Sequence, residues 1–344
     1  MDYSAQFIEK VIPPLTERYY GAPAQDITPL GGGFYGRVFL IKIDREPYNV
    51  VLKIYMYDGF AQREAAQLRE LSAHSLIKVP DVYFYHNAEN EGHPDTGAKY
   101  STGAHPEASP QPTAFARNGI RIPNDVLAME FIDGINVGSR ELSLDSRLKM
   151  RLAEAIVENQ ISYHNTTNPE GFGDIGSGRY EPDWVKYYYP RAESAFYKIE
   201  EMYSKAKIDQ AVMSAAGRAF NNFHRIFYLP VQKASLIHAD YNTWNILFDR
   251  DITVTKAVID PFNCCWSDSE LDLYQLTHAN GDYFGLLDLY KAKAGVSENF
   301  QLKNGYYELY TELMHHYDAN VDVPPQKVGP YVRALNESMD YYGL

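Results

Sequence analysis

Residues Ser235–Asp272 read SLIHADYNTWNILFDRDITVTKAVIDPFNCCWSDSELD. Two segments inside this stretch read as short strands, Ile246–Phe248 and Val254–Ile259. His238-Ala-Asp240 precedes the first strand, Asn245 stands five positions after the aspartate, and Asp260 closes the second strand. A carboxylate can accept the proton of an attacking alcohol. An amide oxygen and a second carboxylate can hold Mg²⁺ against a polyphosphate. The bland alternative is a buried polar turn whose Asp and Asn side chains cap local backbone. The combination HxDxxxxN with a strand-terminal Asp is specific, and what stands upstream favours the chemical reading.

Upstream, Ile27–Leu30 reads as a strand, followed by the glycine-rich turn Gly31-Gly-Gly-Phe-Tyr-Gly-Arg-Val38 and a strand Val38–Ile43. Such a turn lets backbone N–H groups approach phosphates without side-chain obstruction. By itself it is equally a hairpin turn. No helix follows it, so a dinucleotide-binding fingerprint is disfavoured. Strand Asn49–Tyr55 carries Lys53 among Val50, Val51, Leu52 and Ile54. A lysine in that setting needs a partner unless strand alternation exposes it. Helix Ala61–His74 offers Glu64, with Glu70 as the rival.

The 344 residues suffice for two modest domains, and 45% hydrophobic with 22% charged residues is ordinary for a globular chain. A net charge of −13 argues against a nucleic-acid partner. The two cysteines, Cys264 and Cys265, are adjacent, which gives neither a disulfide framework nor a zinc spacing and suits a reducing, cytoplasmic setting. The first residues show no signal-peptide pattern, and no apolar run is long enough to span a membrane. Nothing in the sequence fixes an oligomeric state. The 29 tyrosines suit packing, and secondarily a ring-bearing ligand.

Residues 3–20 read as a helix that ends near Pro13-Pro14 or resumes after it, and Pro80–Tyr85 as a strand. Residues 87–122 are rich in Gly, Pro, Ser and Ala and read as a mobile insertion. Asp125–Ile132 recovers as a strand, and Asp133-Gly134 marks the expected boundary between an N-terminal lobe (1–133) and a helical C-terminal lobe (134–344). Helices are expected over Ser143–Asn165, Trp184–Tyr203, Ile208–Tyr228, Leu271–Ala294, Gln301–Asp318 and Pro325–Tyr342, with a loop at Gly171–Gly178.

Together these spacings resemble a protein-kinase-like fold, an α+β bilobal arrangement with a small antiparallel N-lobe sheet and a larger helical C-lobe. Gly31, Gly33, Gly36 and Val38 fit G-x-G-x-x-G-x-V, and Lys53 follows Val38 by 15 positions. His-Ala-Asp replaces the His-Arg-Asp of protein kinases, Pro261-Phe262 follows the metal aspartate, and no A-P-E sequence follows. The chain instead resembles the aminoglycoside phosphotransferase family of small-molecule kinases, which includes choline and homoserine kinases, over roughly Ile27 to Tyr290. MEFIDG (Met129–Gly134), HADYNTWNIL and IDPFNCCWSDSELDL carry that likeness. GFGDIGSGRYEPDWVKYYYPR and the Tyr-rich C-terminal helices look most like fructosamine-kinase-like members. The 87–122 insertion and Ala239, where the family usually has glycine, are departures; the alanine reads as a small change.

The resemblance implies roles. Asp240 is the base and Asn245 and Asp260 hold Mg²⁺. Lys53 meets the α/β-phosphates and pairs with Glu64, and the glycine turn covers the phosphates. Backbone groups of Glu130 and Ile132 meet the adenine of ATP, with GTP as the alternative nucleotide. His238 braces the loop, and Asp272 anchors it or is a surface acid. The acceptor is a small hydroxylated molecule such as an amino sugar, aminoglycoside or fructosamine. Asp268, Glu270 and Asp272 suggest that it bears an amine, although Asp268 is equally a helix cap and Glu270 reads better as one. Trp184 and Tyr187 are further candidate contacts. A nucleotide-binding module without activity, and less readily a protein kinase, are the rival readings.

Overall fold

The computed structural model describes residues 3–33, 35–88 and 122–344. Helices α1 (Tyr3–Lys10) and α2 (Ile12–Tyr20) open the chain. The helix expected over residues 3–20 breaks at Val11, and Pro13 and Pro14 fall in the first turn of α2, where their missing N–H groups cost little. Strands β1 (Asp26–Gly32), β2 (Gly36–Lys42) and β3 (Asn49–Tyr55) follow, then helix α3 (Phe60–His74) and strands β4 (Val82–His86) and β5 (Val126–Glu130). They form an antiparallel sheet in the order β1-β2-β3-β5-β4. The expected insertion at residues 87–122 lies almost wholly outside the described residues.

Strand β3 shows how the sheet aims the site. Val50, Leu52 and Ile54 are buried in a cluster with Phe7, Ile12 and Leu15 of α1 and α2. Side chains alternate along a strand, so Val51, Lys53 and Tyr55 face the other way. Val51 and Tyr55 join the larger core, which includes Ala61, Ala65 and Leu68 of α3 and continues into the C-terminal helices. The one lysine of NVVLKIY therefore points into the cleft rather than into solvent.

The C-terminal half begins with α4 (Ser146–Asn165), capped by Asp145, whose Oδ1 accepts from the backbone N–H groups of Arg147 and Leu148 at 3.0 Å each. It continues through β6 (Thr167–Asn168), β7 (Gly173–Asp174), α5 (Trp184–Ser204), α6 (Gln210–Asn221), α7 (Phe223–Ile226), β8 (Ala234–Ile237), β9 (Ile246–Phe248), β10 (Thr255–Val258) and β11 (Cys265–Ser267). A 3₁₀ segment Ser269–Thr277 leads to α8 (Gly281–Phe284), α9 (Leu286–Ala294), α10 (Phe300–Asp318) and α11 (Pro325–Tyr341).

Three expectations are corrected. Helix 208–228 starts at Gln210 behind the Asp209 cap and is interrupted at Asn222. Helix 271–294 is three pieces, because Ala279 and Asn280 take φ of 49° and 69° and Gly285 takes 71°. A four-stranded sheet, β6-β8-β11-β7, was not expected, and it draws β7 from the segment read as a loop. All four residues of β8 are buried, so the sequence shows no alternation to read. This sheet matters for the site. It pairs Ile237, just before His238, with Cys265, just after the Asp260 loop.

Candidate active site

Strand β8 delivers His238 into a buried position, where two groups hold it. Its Nε2 lies 3.2 Å from the carbonyl of Ile259, and its Nδ1 accepts from the N–H of Asp240 at 3.3 Å. That assigns the proton to Nε2 on a neutral ring, consistent with a pKa lowered by burial. Asp272 is fully buried and accepts from the N–H groups of His238 at 3.1 Å and Ala239 at 2.8 Å. His164 of α4 meets the same carboxylate at 3.4 Å. Asp272 thus anchors the loop and is no surface acid. The anchor has a purpose at Ala239, which adopts φ 64°. A non-glycine residue there costs about 1–2 kcal/mol. The alanine is therefore less neutral than the sequence suggested, and the Asp272 bond to its N–H opposes that strain.

Asp240 follows directly. Its Oδ1 accepts from Asn242 Nδ2 and its Oδ2 from Asn245 Nδ2, both at 2.7 Å. Burial, reinforced by the charge of Asp260, pushes its carboxyl up to about 7, while the Asn245 amide opposes the shift. Because the Asn245 amide nitrogen faces Asp240, its oxygen turns to the opposite side. The N–H of Ile259 donates to the Asn245 carbonyl at 2.9 Å, so the β9–β10 hairpin carries Asp260 back beside the loop. Asp260 has φ 58° and a side chain half exposed to the cleft.

Lys53 bridges the two halves. Its Nζ donates to Glu64 at 2.8 and 3.0 Å and pairs with Asp260 Oδ1. Glu64 is the partner and not Glu70, which meets His74 at 3.4 Å. Tyr55, two residues on and hence on the same strand face, donates to Glu64 at 2.6 Å. Burial works against the Lys53 charge, but Asp260 and Glu64 outweigh it and hold the ammonium above its usual range. Burial raises the Glu64 carboxyl, and Lys53 opposes the shift.

In the glycine turn the three expected glycines differ. Gly31 has φ 150°, and a Cβ on Gly36 would fall 2.5 Å from the carbonyl oxygen of Ile54. Gly33 meets no such restriction. Arg37, unremarked in the sequence, braces the turn by donating to the carbonyls of Gly33 at 2.8 Å and Gly36 at 2.9 Å. Val38 stands opposite Lys53 on the neighbouring strand. At the end of β5 the N–H of Glu130 is already bonded to the Asp81 carbonyl at 2.9 Å, so that N–H is committed within the chain. Ile132 makes no backbone hydrogen bond to another described residue.

The acids offered as amine contacts are committed elsewhere. Lys303 of α10, buried in the core, pairs with Asp268 at 2.6 Å and Glu270 at 2.9 Å. Asp268 also caps the N–H of Glu270 and accepts from Tyr307 at 2.8 Å. Glu270 accepts from the N–H and hydroxyl of Ser297. Trp184 is buried and donates to Tyr307 at 3.0 Å, and Tyr187 lies under Arg191. The inference of an amine site from Asp268, Glu270 and Asp272 is therefore withdrawn.

Among the described residues no group of three or more His, Cys, Asp or Glu could hold a metal unaided. Asp260 and Asn245 do offer the carboxylate and amide oxygens that a hard divalent cation takes. No helix among the described residues is long and apolar enough to cross a membrane.

Comparison with solved structures finds the same architecture. Aminoglycoside phosphotransferase APH(4)-Ia matches with a TM-score of 0.63 at 15% identity, covering 98% of both chains. Two proteins carrying a provisional fructosamine-3-kinase assignment match as well. The one from Thermobifida fusca YX-ER1 gives TM-score 0.58, 16% identity and coverage of 95% of this chain and 98% of that one. The one from Haemophilus somnus 129PT gives 0.62, 16%, 96% and 97%. At these identities the likeness is one of fold, the α+β kinase-like arrangement. No curated protein matches by sequence. The sequence profile of the phosphotransferase enzyme family matches residues 26–295, which is most of the chain, and the protein belongs to that family.

Proposed function

We propose that this protein transfers the γ-phosphoryl group of ATP to a hydroxyl of a small molecule. The observation that carries the reading is the convergence of Asp240 and Asn245 of the β8–β9 loop, Asp260 after β10, Lys53 of β3 and Glu64 of α3, four separate elements, on one cleft. Phosphoryl transfer asks for positioning and charge neutralisation more than for covalent help. Asp240 orients the acceptor hydroxyl and takes its proton. Asn245, through its amide oxygen, and Asp260 are the ligands for Mg²⁺, which when bound neutralises charge on the phosphate oxygens. Lys53, kept protonated and aimed by Glu64 and Tyr55, contacts the α/β-phosphates. Gly31, Gly33 and Gly36 let the turn lie close over them, and the Glu130 carbonyl and Ile132 N–H meet the adenine edge.

ATP is favoured over GTP by relatives of the same fold: APH(4)-Ia has been solved with ADP and with AMP-PNP, in each case with hygromycin B. The acceptor class that suits these neighbours is an amino sugar, aminoglycoside or fructosamine. The test is Mg-ATP consumption across fructosamines, amino sugars, aminoglycosides, amino alcohols and plain sugars, with Asp240→Asn as control. On the best acceptor that variant should lose about 10²–10⁴-fold in turnover while still binding nucleotide. Near-native turnover would remove Asp240 as the base, and no consumption with any acceptor would remove the reading itself.

A further inference from the structure

An aromatic stack crosses the cleft beside the phosphate-binding turn. Tyr35, the residue before Gly36, stacks on Phe262 with ring centroids 5.2 Å apart at 29°, and on Phe60 at 5.4 Å and 24°. Phe262, two residues past Asp260, meets His315 of α10 edge-on at 5.1 Å. Phe60 opens α3, the helix that carries Glu64, and Arg63 lies 4.4 Å over its ring. The stack therefore joins the glycine turn, the Glu64 helix, the Asp260 loop and a C-terminal helix.

The Tyr35 hydroxyl is buried and has no hydrogen-bond partner among the described residues. A buried hydroxyl without a partner is unfavourable, so it is the ring that keeps Tyr35 in place. Its main chain is fixed too, since the Tyr35 carbonyl accepts from the N–H of Met56 at 2.9 Å. Burial keeps the His315 imidazole below its ordinary pKa, so a neutral ring faces Phe262.

We propose that Tyr35, Phe262 and His315 are positioning residues whose stack latches the glycine turn down over the phosphates, so that nucleotide leaves only when the rings part. The proposal rests on the nucleotide reading of the cleft. It ties the turn above the phosphates to the same loop that bears Asp260, so closure and metal-site geometry are set together. It also ties the turn to α10, which makes the C-terminal helices part of the closing device.

The experiment is stopped-flow displacement of N-methylanthraniloyl-ADP, bound with Mg²⁺ to the full chain, by excess ATP. His315→Ala, which loses one ring pair, should release the probe about 2- to 10-fold faster, and Tyr35→Ala and Phe262→Ala, which lose at least two each, faster still. Tyr35→Phe should release it at the wild-type rate, because it keeps the ring and removes only the unpaired hydroxyl. Tyr35→Ala combined with Phe262→Ala should fall short of the product of the two effects, since the two residues share one contact. Where Phe262→Ala does not fold, Tyr35→Ala and His315→Ala carry the test. Unchanged release in the alanine variants, or release from Tyr35→Phe as fast as from Tyr35→Ala, overturns the latch while leaving the kinase reading in place. A wild-type chain that does not bind the probe overturns the nucleotide reading and the latch with it.

Discussion

Replacing Asp272 by asparagine should loosen the loop that carries Asp240 without touching any group that faces the cleft. The Asp272 carboxylate accepts two backbone N–H groups, from His238 and Ala239, and meets His164. Asparagine keeps one acceptor oxygen and sets an NH₂ against a remaining donor. A hydrogen bond to a charged group is worth about 1.5–3 kcal/mol, and the donor left without a partner adds about 1 kcal/mol or more. The expected loss is about 2–4 kcal/mol, seen as a melting midpoint lower by roughly 3–6 °C for a chain of this length. Burial disfavours the Asp272 charge, but its bonds to His164 and to the His238 N–H outweigh that and hold the pKa below the ordinary 3.8. A depressed native pKa adds stability that is present above the unfolded value and lost as pH falls through the native one. The gap between wild type and Asp272→Asn, from urea denaturation, should therefore be flat from about pH 5.5 to 8 and close only below about pH 4. A gap that narrows as pH rises through that flat window would mean that Asp272 is protonated in the fold, and a gap near zero would mean that it anchors nothing. Turnover of the folded variant should fall as well, since misplacing a reacting group by about 1 Å can cost 10²-fold.

Other substitutions separate the remaining roles. Mg-nucleotide at about 100 times its dissociation constant should stabilise the wild type by about 2.7 kcal/mol, and Asp260→Ala should lose the part of that gain that EDTA abolishes in the wild type; equal gains in thermal-shift measurements would remove Asp260 as a ligand. Gly36→Ala places a methyl 2.5 Å from the Ile54 carbonyl oxygen and should cost about 1–3 kcal/mol, whereas Gly33→Ala enters open space and should change stability by less than about 0.5 kcal/mol. Similar melting midpoints for the two would contradict the packing described for the turn. Asp268→Asn should cost about 2–4 kcal/mol by weakening the buried Lys303 pair, with acceptor KM unchanged. A raised KM in a stable variant would return Asp268 to the acceptor site.

What could be read from the sequence divides along physical lines. Lys53 was legible because strand period is local, and the same period placed Tyr55 beside it, though that partner went unread. The choice of Glu64 over Glu70 needed the core: Ala61, Ala65 and Leu68 put Glu64 on the buried side of α3. Asp240, Asn245 and Asp260 were legible because a hairpin keeps them within 21 positions. His164 and Lys303 were not, since each reaches its acid from a distant helix and no local pattern announces it. The acid run Asp268–Asp272 shows the error that follows. Read alone, three carboxylates in five residues look like a charged surface awaiting a cation. A single lysine 33 positions beyond Glu270 converts two of them into core structure, and the catalytic loop takes the third. Carboxylates are retained in a core only when paired, so their burial already implied partners within the chain. Asp260 is left half exposed to the cleft, and it pairs there with Lys53, the lysine assigned to the phosphates. That residual exposure, more than the number of acids, is what sets the proposed metal ligand apart from the structural acids.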